Sequence, residues 1–180
     1  MIQLSGGIWS PLFNMDILFL ICISVVSRLV RHLPNMTAVG AMAIFTGSKY
    51  RLSVSIFIMG ASMICSDFIL GFHPVMWATY GSFFIAILLG RILKKQNDWK
   101  LIGMITVISS LQFFVLTNFA VWLTGIMYPK TIVGFIQCYV MALPFFRNSL
   151  LGDLFYTTIF FGVFEILTRL RYSHRMRVLV

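Results

Sequence analysis

Polar residues interrupt an otherwise apolar and aromatic stretch, "CYVMALPFFRNSLLGDLFY", in the last third of the chain. Arg147 and Asp153 are the residues in it that can form an ion pair or hold a ligand in apolar surroundings. Asn148 is placed to cap a helix that begins after Pro144, which explains it without a ligand. The sequence leaves three options for Asp153: a pair with Arg147, a pair with Arg31 from another helix, or a small ligand that competes for the pairing.

A second group of polar residues lies in "SRLVRHLPNMT". Arg28, Arg31 and His32 have the i, i+3, i+4 spacing of one helix face. Two arginines on one face can hold a carboxylate or a phosphate through forked hydrogen bonds. They can equally anchor the helix end at the membrane interface by extending their charged groups into water.

The segment "CSDFILGFHPVMWATYG" combines an ionisable residue with a turn and two aromatic residues. Asp67 lies in an apolar run, so we expect it to pair with one of the arginines, as a binding group or as a structural bridge. His73 lies in the turn that follows. Trp77 and Tyr80 can stack on a planar ligand or belong to the aromatic belt at a membrane surface.

The segment "LTNFAVWLTGIMYPKT" places Asn118 and Trp122 four residues apart, on one side of a helix. They can line a pocket, or Asn118 can hydrogen-bond between helices. No catalytic motif is present, and Asp67 and His73 lack a third metal ligand, so we predict neither an enzyme nor a metal or cofactor site. The predicted substrate-binding residues are Arg31, Asp67, His73, Trp77, Asn118, Trp122, Tyr139, Arg147 and Asp153.

The elements that position these residues are predicted from composition. Of 180 residues, 59% are hydrophobic and 11% charged, which indicates a membrane protein rather than a soluble domain. We predict an all-α, polytopic six-helix bundle, with one extra short helix, interfacial or re-entrant, before the last span. The second span is short, so it must be extended, tilted or locally matched by a thin membrane. The expected spans are 12–32, 36–48, 53–71, 75–93, 101–126 and 149–169, with a short capping helix at 131–143.

The distribution of basic residues predicts the orientation. Ten of the fourteen lysines and arginines fall on one side of a six-span layout, so we place both termini in the cytoplasm. These ten are Lys49, Arg51, Arg91, Lys94, Lys95, Lys100, Arg169, Arg171, Arg175 and Arg177. Glu165 and Arg169 are expected to form an i, i+4 surface pair. The basic residues that give the net charge of +9 lie between apolar spans, where membrane topology explains them, so we predict no nucleic-acid partner.

The strings "RHLPNMTAVGAMAIFTG", "SDFILGFHPVMWATYGSF", "TNFAVWLTGIMYP" and "CYVMALPFFRNSLLGDLFY" carry a resemblance. The chain resembles an uncharacterised family of small bacterial membrane proteins that look like S components, the substrate-binding subunits of energy-coupling factor (ECF) transporters. The resemblance implies six helices, with the loops after spans one, three and five closing over a vitamin-sized ligand outside the cell. It also implies a transmembrane coupling subunit and ATPases as partners.

One part of the chain departs from the S-component pattern. Alanines spaced four apart in the first helix usually dock the coupling subunit, and span one has "CISVVSR" instead. Ala43 and Gly47 have the spacing of a small-residue packing motif, but in segment two.

The leading hypothesis is a substrate-binding subunit in the bacterial cytoplasmic membrane that captures a vitamin or related small organic solute. Cationic groups, carboxylates and aromatics together would suit a flat, partly anionic molecule. The alternative is a non-transport scaffold or assembly partner whose buried polar residues are structural pairs.

Overall fold

Apolar helices account for the regular structure of the residues that the computed structural model describes, which are 10–30, 35–95 and 98–178. Within them, six α-helices and one short 3-10 helix follow in order. The helices are α1 (Ser10–Leu29), α2 (Val39–Lys49), α3 (Leu52–Leu70), α4 (Met76–Ile92), the 3-10 turn Leu93–Lys95, α5 (Trp99–Thr124) and α6 (Ile132–Val178). The first five α-helices begin and end within three residues of the predicted segments.

Three of these helices are long and apolar enough to cross a membrane: α3, α5 and the part of α6 from Ile132 to Leu170. Their outer faces expose large hydrophobic side chains, such as Phe68, which is 79% exposed, and Ile132, which is 80% exposed. A surface of this kind suits hydrocarbon rather than water. The described helices therefore have the composition of a membrane protein.

Helix α2 is enclosed by the other helices. Every residue from Val39 to Ser48 is buried, and α1, α3, α4, α5 and α6 all pack against it. Its 11 residues extend over about 16 Å, too short to cross a bilayer. Because protein surrounds it, α2 need not match the thickness of the hydrocarbon layer, and this accounts for its short length.

Glycines allow α2 and α4 to approach backbone to backbone. A Cβ atom on Gly47 would overlap with the carbonyl of Ile87, and one on Gly90 would overlap with the carbonyl of Ile44. Ala43, one turn before Gly47, is fully buried. Gly47 therefore packs against α4 inside the protein, and the buried Ala43 and Gly47 do not form an outer surface for a partner subunit.

Helix α6 corrects the predicted end of the chain. It runs without a break from Ile132 to Val178 and contains Pro144, so the separate capping helix at 131–143 and the new start at 149 are wrong. Residues on both sides of Pro144 pack on α5: the Tyr139 hydroxyl donates a hydrogen bond to a carbonyl of α5 at 2.8 Å, and the Phe146 ring lies 4.7 Å from a phenylalanine of α5. This packing outweighs the helix-breaking cost of proline, about 3 kcal/mol.

The continuous helix changes the roles of two residues. Asn148 lies in the helix interior and is not an N-cap. Asp153 lies far from the first turn of its own helix, so the dipole of α6 does not stabilise its carboxylate.

Candidate functional site

All six described α-helices contribute to one partly open cavity of about 350 Å³. This volume lies within the range of small-molecule sites, roughly 300–1,000 Å³. The connection before α2 and the turn before α4 also reach it. Its polar lining consists of Arg28, Asn35, Thr37, His73, Thr79, Ser109, Gln112, Thr117, Asn118, Ser149 and Asp153.

Asp153 extends from α6 to the first turn of α2. It is 6% exposed, and its Oδ2 atom accepts a hydrogen bond of 2.6 Å from the Ser110 hydroxyl of α5. The backbone N–H of Ala41 in α2 also donates to the carboxyl group. Gly40 leaves room for it, because a Cβ atom there would overlap with the carboxylate. Since Ala38, the N-cap residue, has no capping side chain, Asp153 supplies an acceptor for α2 from another helix.

Arg28 and Asp67 form an ion pair beside the cavity. The Arg28 Nη2 atom lies 2.6 Å from Asp67 Oδ1, and the Asp67 side chain is 1% exposed. Arg28 Nη1 donates to the Ser66 hydroxyl, and the Tyr80 hydroxyl donates to Asp67 Oδ2 at 2.9 Å. The prediction that Asp67 pairs with an arginine is confirmed, and the partner is Arg28. Arg28 lines the cavity, with Asp67 behind it.

Two amide side chains of α5 line the cavity and use their N–H₂ groups on helix carbonyls. Gln112 donates from Nε2 to the carbonyl of Ser82 on α4 at 2.9 Å, while its Oε1 atom is buried without a hydrogen-bond partner. Asn118 donates from Nδ2 to the carbonyl of Phe114 at 2.7 Å. Because only the N–H₂ end of an amide can donate to a carbonyl, these bonds define the orientation of both amides.

Aromatic rings form much of the remaining wall. Phe83 and Phe113 have ring centroids 5.0 Å apart, and Phe114 and Phe146 have centroids 4.7 Å apart. All four line the cavity together with Phe145. The cavity thus combines apolar walls with a few polar groups, as small-molecule sites do.

The structure brings three of the predicted residues together in this cavity: His73, Asn118 and Asp153. Asp67 contacts it through Arg28. Arg31, which we also predicted, lies outside the described residues.

Four other predicted residues do not line the cavity. Trp77 is 62% exposed on α4, as expected of an interfacial aromatic residue. Trp122 packs its indole against rings of α5 and α6, and Tyr139 uses its hydroxyl on a backbone carbonyl. Arg147 is exposed on α6. These four residues therefore do not share this cavity with Asp153, and their assignment to a substrate pocket stays a prediction.

Arg147 and Asp153 do not form the predicted local pair. They are six residues apart on one helix, which rotates them by about 240° around its axis. Arg147 is exposed while Asp153 is buried against α2 and α5, so the two side chains lie on different faces.

Several lining residues were missed from the sequence. Arg28 was considered, but Arg31 was preferred. The polar run Ser109–Gln112 in the middle of an apolar span was an available indication, because uncompensated polar groups at that depth are costly. Gly40 and Ser149 gave no such indication, since glycine and serine are common in packed membrane helices.

The opposite end of α2 adjoins a second cavity of about 300 Å³. Lys49 lies there with its ammonium group 4.8 Å from the ring centroid of Phe164. Glu165 and Arg169 also line it, and their predicted i, i+4 pair is confirmed at 2.5 Å. No group of three His, Cys, Asp or Glu side chains within the described ranges could hold a metal ion.

Over the part of the chain that the structure describes, these features define an all-helical protein with three helices able to cross a membrane and a partly polar cavity. The chain belongs to a family of unknown function, DUF6580, whose pattern matches residues 12–176. No curated protein and no solved structure matches the chain. The resemblance to S components stays a prediction.

Proposed function

We propose that the protein is a substrate-binding membrane subunit that captures a small organic solute at the outer face of a bacterial cytoplasmic membrane. The observation that carries the proposal is the 350 Å³ cavity, in which polar side chains of α1, α4, α5 and α6 converge with those of the connections before α2 and α4. Structural helix contacts alone need no such space, because membrane helices ordinarily pack closely through small residues.

The basic residues and the position of the cavity support the proposed orientation. The connections that reach the cavity contain Asn35, Thr37 and His73, on the side opposite the Lys- and Arg-rich segments. The proposed topology has several membrane passes, with both termini in the cytoplasm and the cavity opening outward. An ECF-type coupling subunit and its ATPases are candidate partners, and they would have to dock on a surface other than Ala43 and Gly47, which are buried.

A non-transport scaffold is the competing function. The mutual bonds Arg28–Asp67 and Ser110–Asp153 favour it, because structural pairs account for those side chains without a ligand. Native mass spectrometry of the purified protein separates the two functions. A retained small molecule supports solute capture, and an empty protein with a stoichiometric membrane partner supports the scaffold.

Filling the cavity is expected to remove the retained molecule. Ala142 lines the cavity and is 9% exposed, so Ala142→Phe places a ring in the ligand space. Val140, on the same helix, is 54% exposed, and Val140→Phe is the matched control. Native mass spectrometry should show the adduct in wild type and Val140→Phe and its loss in Ala142→Phe, with elution on size exclusion unchanged. An adduct retained by Ala142→Phe contradicts binding in this cavity.

Single-cysteine labelling is expected to place His73 outside the cell and Asp98 inside. The experiment needs a background in which Cys22, Cys65 and Cys138 are replaced. A membrane-impermeant maleimide should label His73→Cys in intact cells, and Asp98→Cys only after the membrane is opened. The reverse pattern would reject an outward-facing cavity.

A further inference from the structure

The charges around the cavity are not balanced equally. Among the described residues, Arg28, His73 and Asp153 are the ionisable side chains that line it. The positive charge of Arg28 is already compensated by Asp67 at 2.6 Å. Asp153, by contrast, forms no ion pair with any described residue and is held by neutral donors. A buried carboxylate without a cation is unfavourable, so this position favours a positively charged partner.

Three neutral side chains of the cavity, Gln112, Thr117 and Asn118, use their donors on helix carbonyls. The N–H₂ groups of Gln112 and Asn118 donate to helix carbonyls, and the Thr117 hydroxyl donates to the carbonyl of Phe113 at 2.7 Å. Their oxygen atoms remain as acceptors, and the Gln112 Oε1 atom is buried without a partner. An ionised carboxylate has about four acceptor positions, and two neutral donors reach that of Asp153. The cavity is therefore rich in acceptors.

The aromatic wall has the same preference. Phe83, Phe113, Phe114 and Phe146 line the cavity, and the faces of aromatic rings carry negative electrostatic potential that attracts cations. An organic anion would meet these ring faces and acceptor oxygens, while the two positive features of the cavity are already occupied: Arg28 by Asp67, and the N-terminus of α2 by Asp153.

We propose that the cavity selects a small organic cation that carries N–H donors, such as a protonated amine or amidine, over anionic molecules of the same shape. The proposal rests on the proposed function and replaces the partly anionic solute expected from the sequence. In the bound state, N–H groups of the ligand would donate to Asp153 and to Gln112 Oε1, and its apolar part would lie against the phenylalanines.

Three shape-matched probes test the charge preference: benzamidine, benzamide and benzoate. Thermal unfolding of the purified protein in detergent is measured with each probe at millimolar concentration, where fragments of this size bind. We expect saturable stabilisation by benzamidine, a weaker effect of benzamide and none of benzoate. Asp153→Asn should lower the benzamidine affinity about tenfold or more, because a charge-assisted hydrogen bond is lost.

Two variants keep the test decisive. Asp98→Asn removes an exposed carboxylate at the N-cap of α5, where asparagine caps equally well, so its benzamidine response should equal that of wild type. If Asp153→Asn does not fold, Gln112→Leu replaces it, and removing the buried acceptor should weaken benzamidine binding severalfold.

The outcomes separate this inference from the proposed function. Preferential stabilisation by benzoate, or no stabilisation by benzamidine, overturns the cation preference. Solute capture itself fails only if native mass spectrometry finds an empty protein with a stoichiometric partner. An unaltered benzamidine response in both Asp153→Asn and Gln112→Leu would also overturn the inference, because it would place the cation elsewhere.

Discussion

Replacing Arg28 with methionine is expected to lower the free energy of unfolding by about 3–5 kcal/mol, since it leaves a buried carboxylate without its cation. The Asp67 side chain is 1% exposed, and in the variant the Tyr80 hydroxyl would be its remaining charge-stabilising contact among those described above. Methionine keeps most of the apolar length of arginine, so lost packing contributes little. The measurement is reversible unfolding in mixed detergent micelles, followed by circular dichroism.

Two controls separate the ion pair from a general effect of losing an arginine. Arg169→Met breaks the Glu165–Arg169 pair, in which Arg169 is 77% exposed, and should cost only about 0.3–0.5 kcal/mol. The double variant Arg28→Met with Asp67→Leu should recover most of the lost stability, because an apolar pair of similar volume can replace a buried ion pair. Equal losses of unfolding free energy in Arg28→Met and Arg169→Met would show that the buried pair stabilises the protein no more than the exposed pair does.

The short length of α2 explains why a cavity exists at all. Helix α5 has 26 residues and extends over about 39 Å, whereas the 11 residues of α2 cover about 16 Å. The N-terminus of α2 therefore lies inside the protein, and Val39 and Gly40 line the cavity that continues from it. The positive end of the α2 dipole points to the same place, which favours an acceptor such as the Asp153 carboxylate there.

The sequence predicted local features well because they depend on neighbouring residues. Runs of apolar residues and the breaks between them predicted the ends of the first five α-helices to within three residues. The prediction for α6 was wrong at Pro144. The rule that proline ends a helix considers only its ring and its missing N–H group, and it takes no account of the packing of Tyr139 and Phe146 on α5.

The site depends on which residues of different helices lie next to each other, and the sequence alone does not give this. The sequence left Asp153 with Arg147, Arg31 or a ligand as its partner; in the structure it meets Ser110 on α5 and the first turn of α2, which the sequence did not indicate. The spacing of Trp77 and Tyr80 left two options, stacking on a ligand or an aromatic belt; in the structure Trp77 is exposed, and the Tyr80 hydroxyl donates a hydrogen bond to Asp67. Such outcomes follow from which helices are neighbours, and spacing within one helix does not determine that.

Replacing Gly90 with alanine is expected to destabilise the protein by about 3 kcal/mol, at the upper end of the usual cost of overpacking. The added methyl group would overlap with the backbone carbonyl of Ile44, and a backbone atom in an enclosed helix cannot rotate away as a side chain can. Helices α2 and α4 must then separate, which also disturbs the reciprocal contact of Gly47 with Ile87. The thermal midpoint in detergent measures the effect.

Gly103→Ala is the matched control for Gly90→Ala, because Gly103 lies within α5 and a Cβ atom there meets nothing within 4 Å. Alanine is a better helix former than glycine by about 1 kcal/mol, so this variant should be as stable as wild type or slightly more stable. If Gly90→Ala lowers the thermal midpoint and Gly103→Ala raises it, the loss of stability is due to the close crossing of α2 and α4 and not to helix propensity. Equal midpoints for the two variants would show that α2 and α4 do not cross this closely, and the enclosure of α2 that shapes the cavity would then lose its main support.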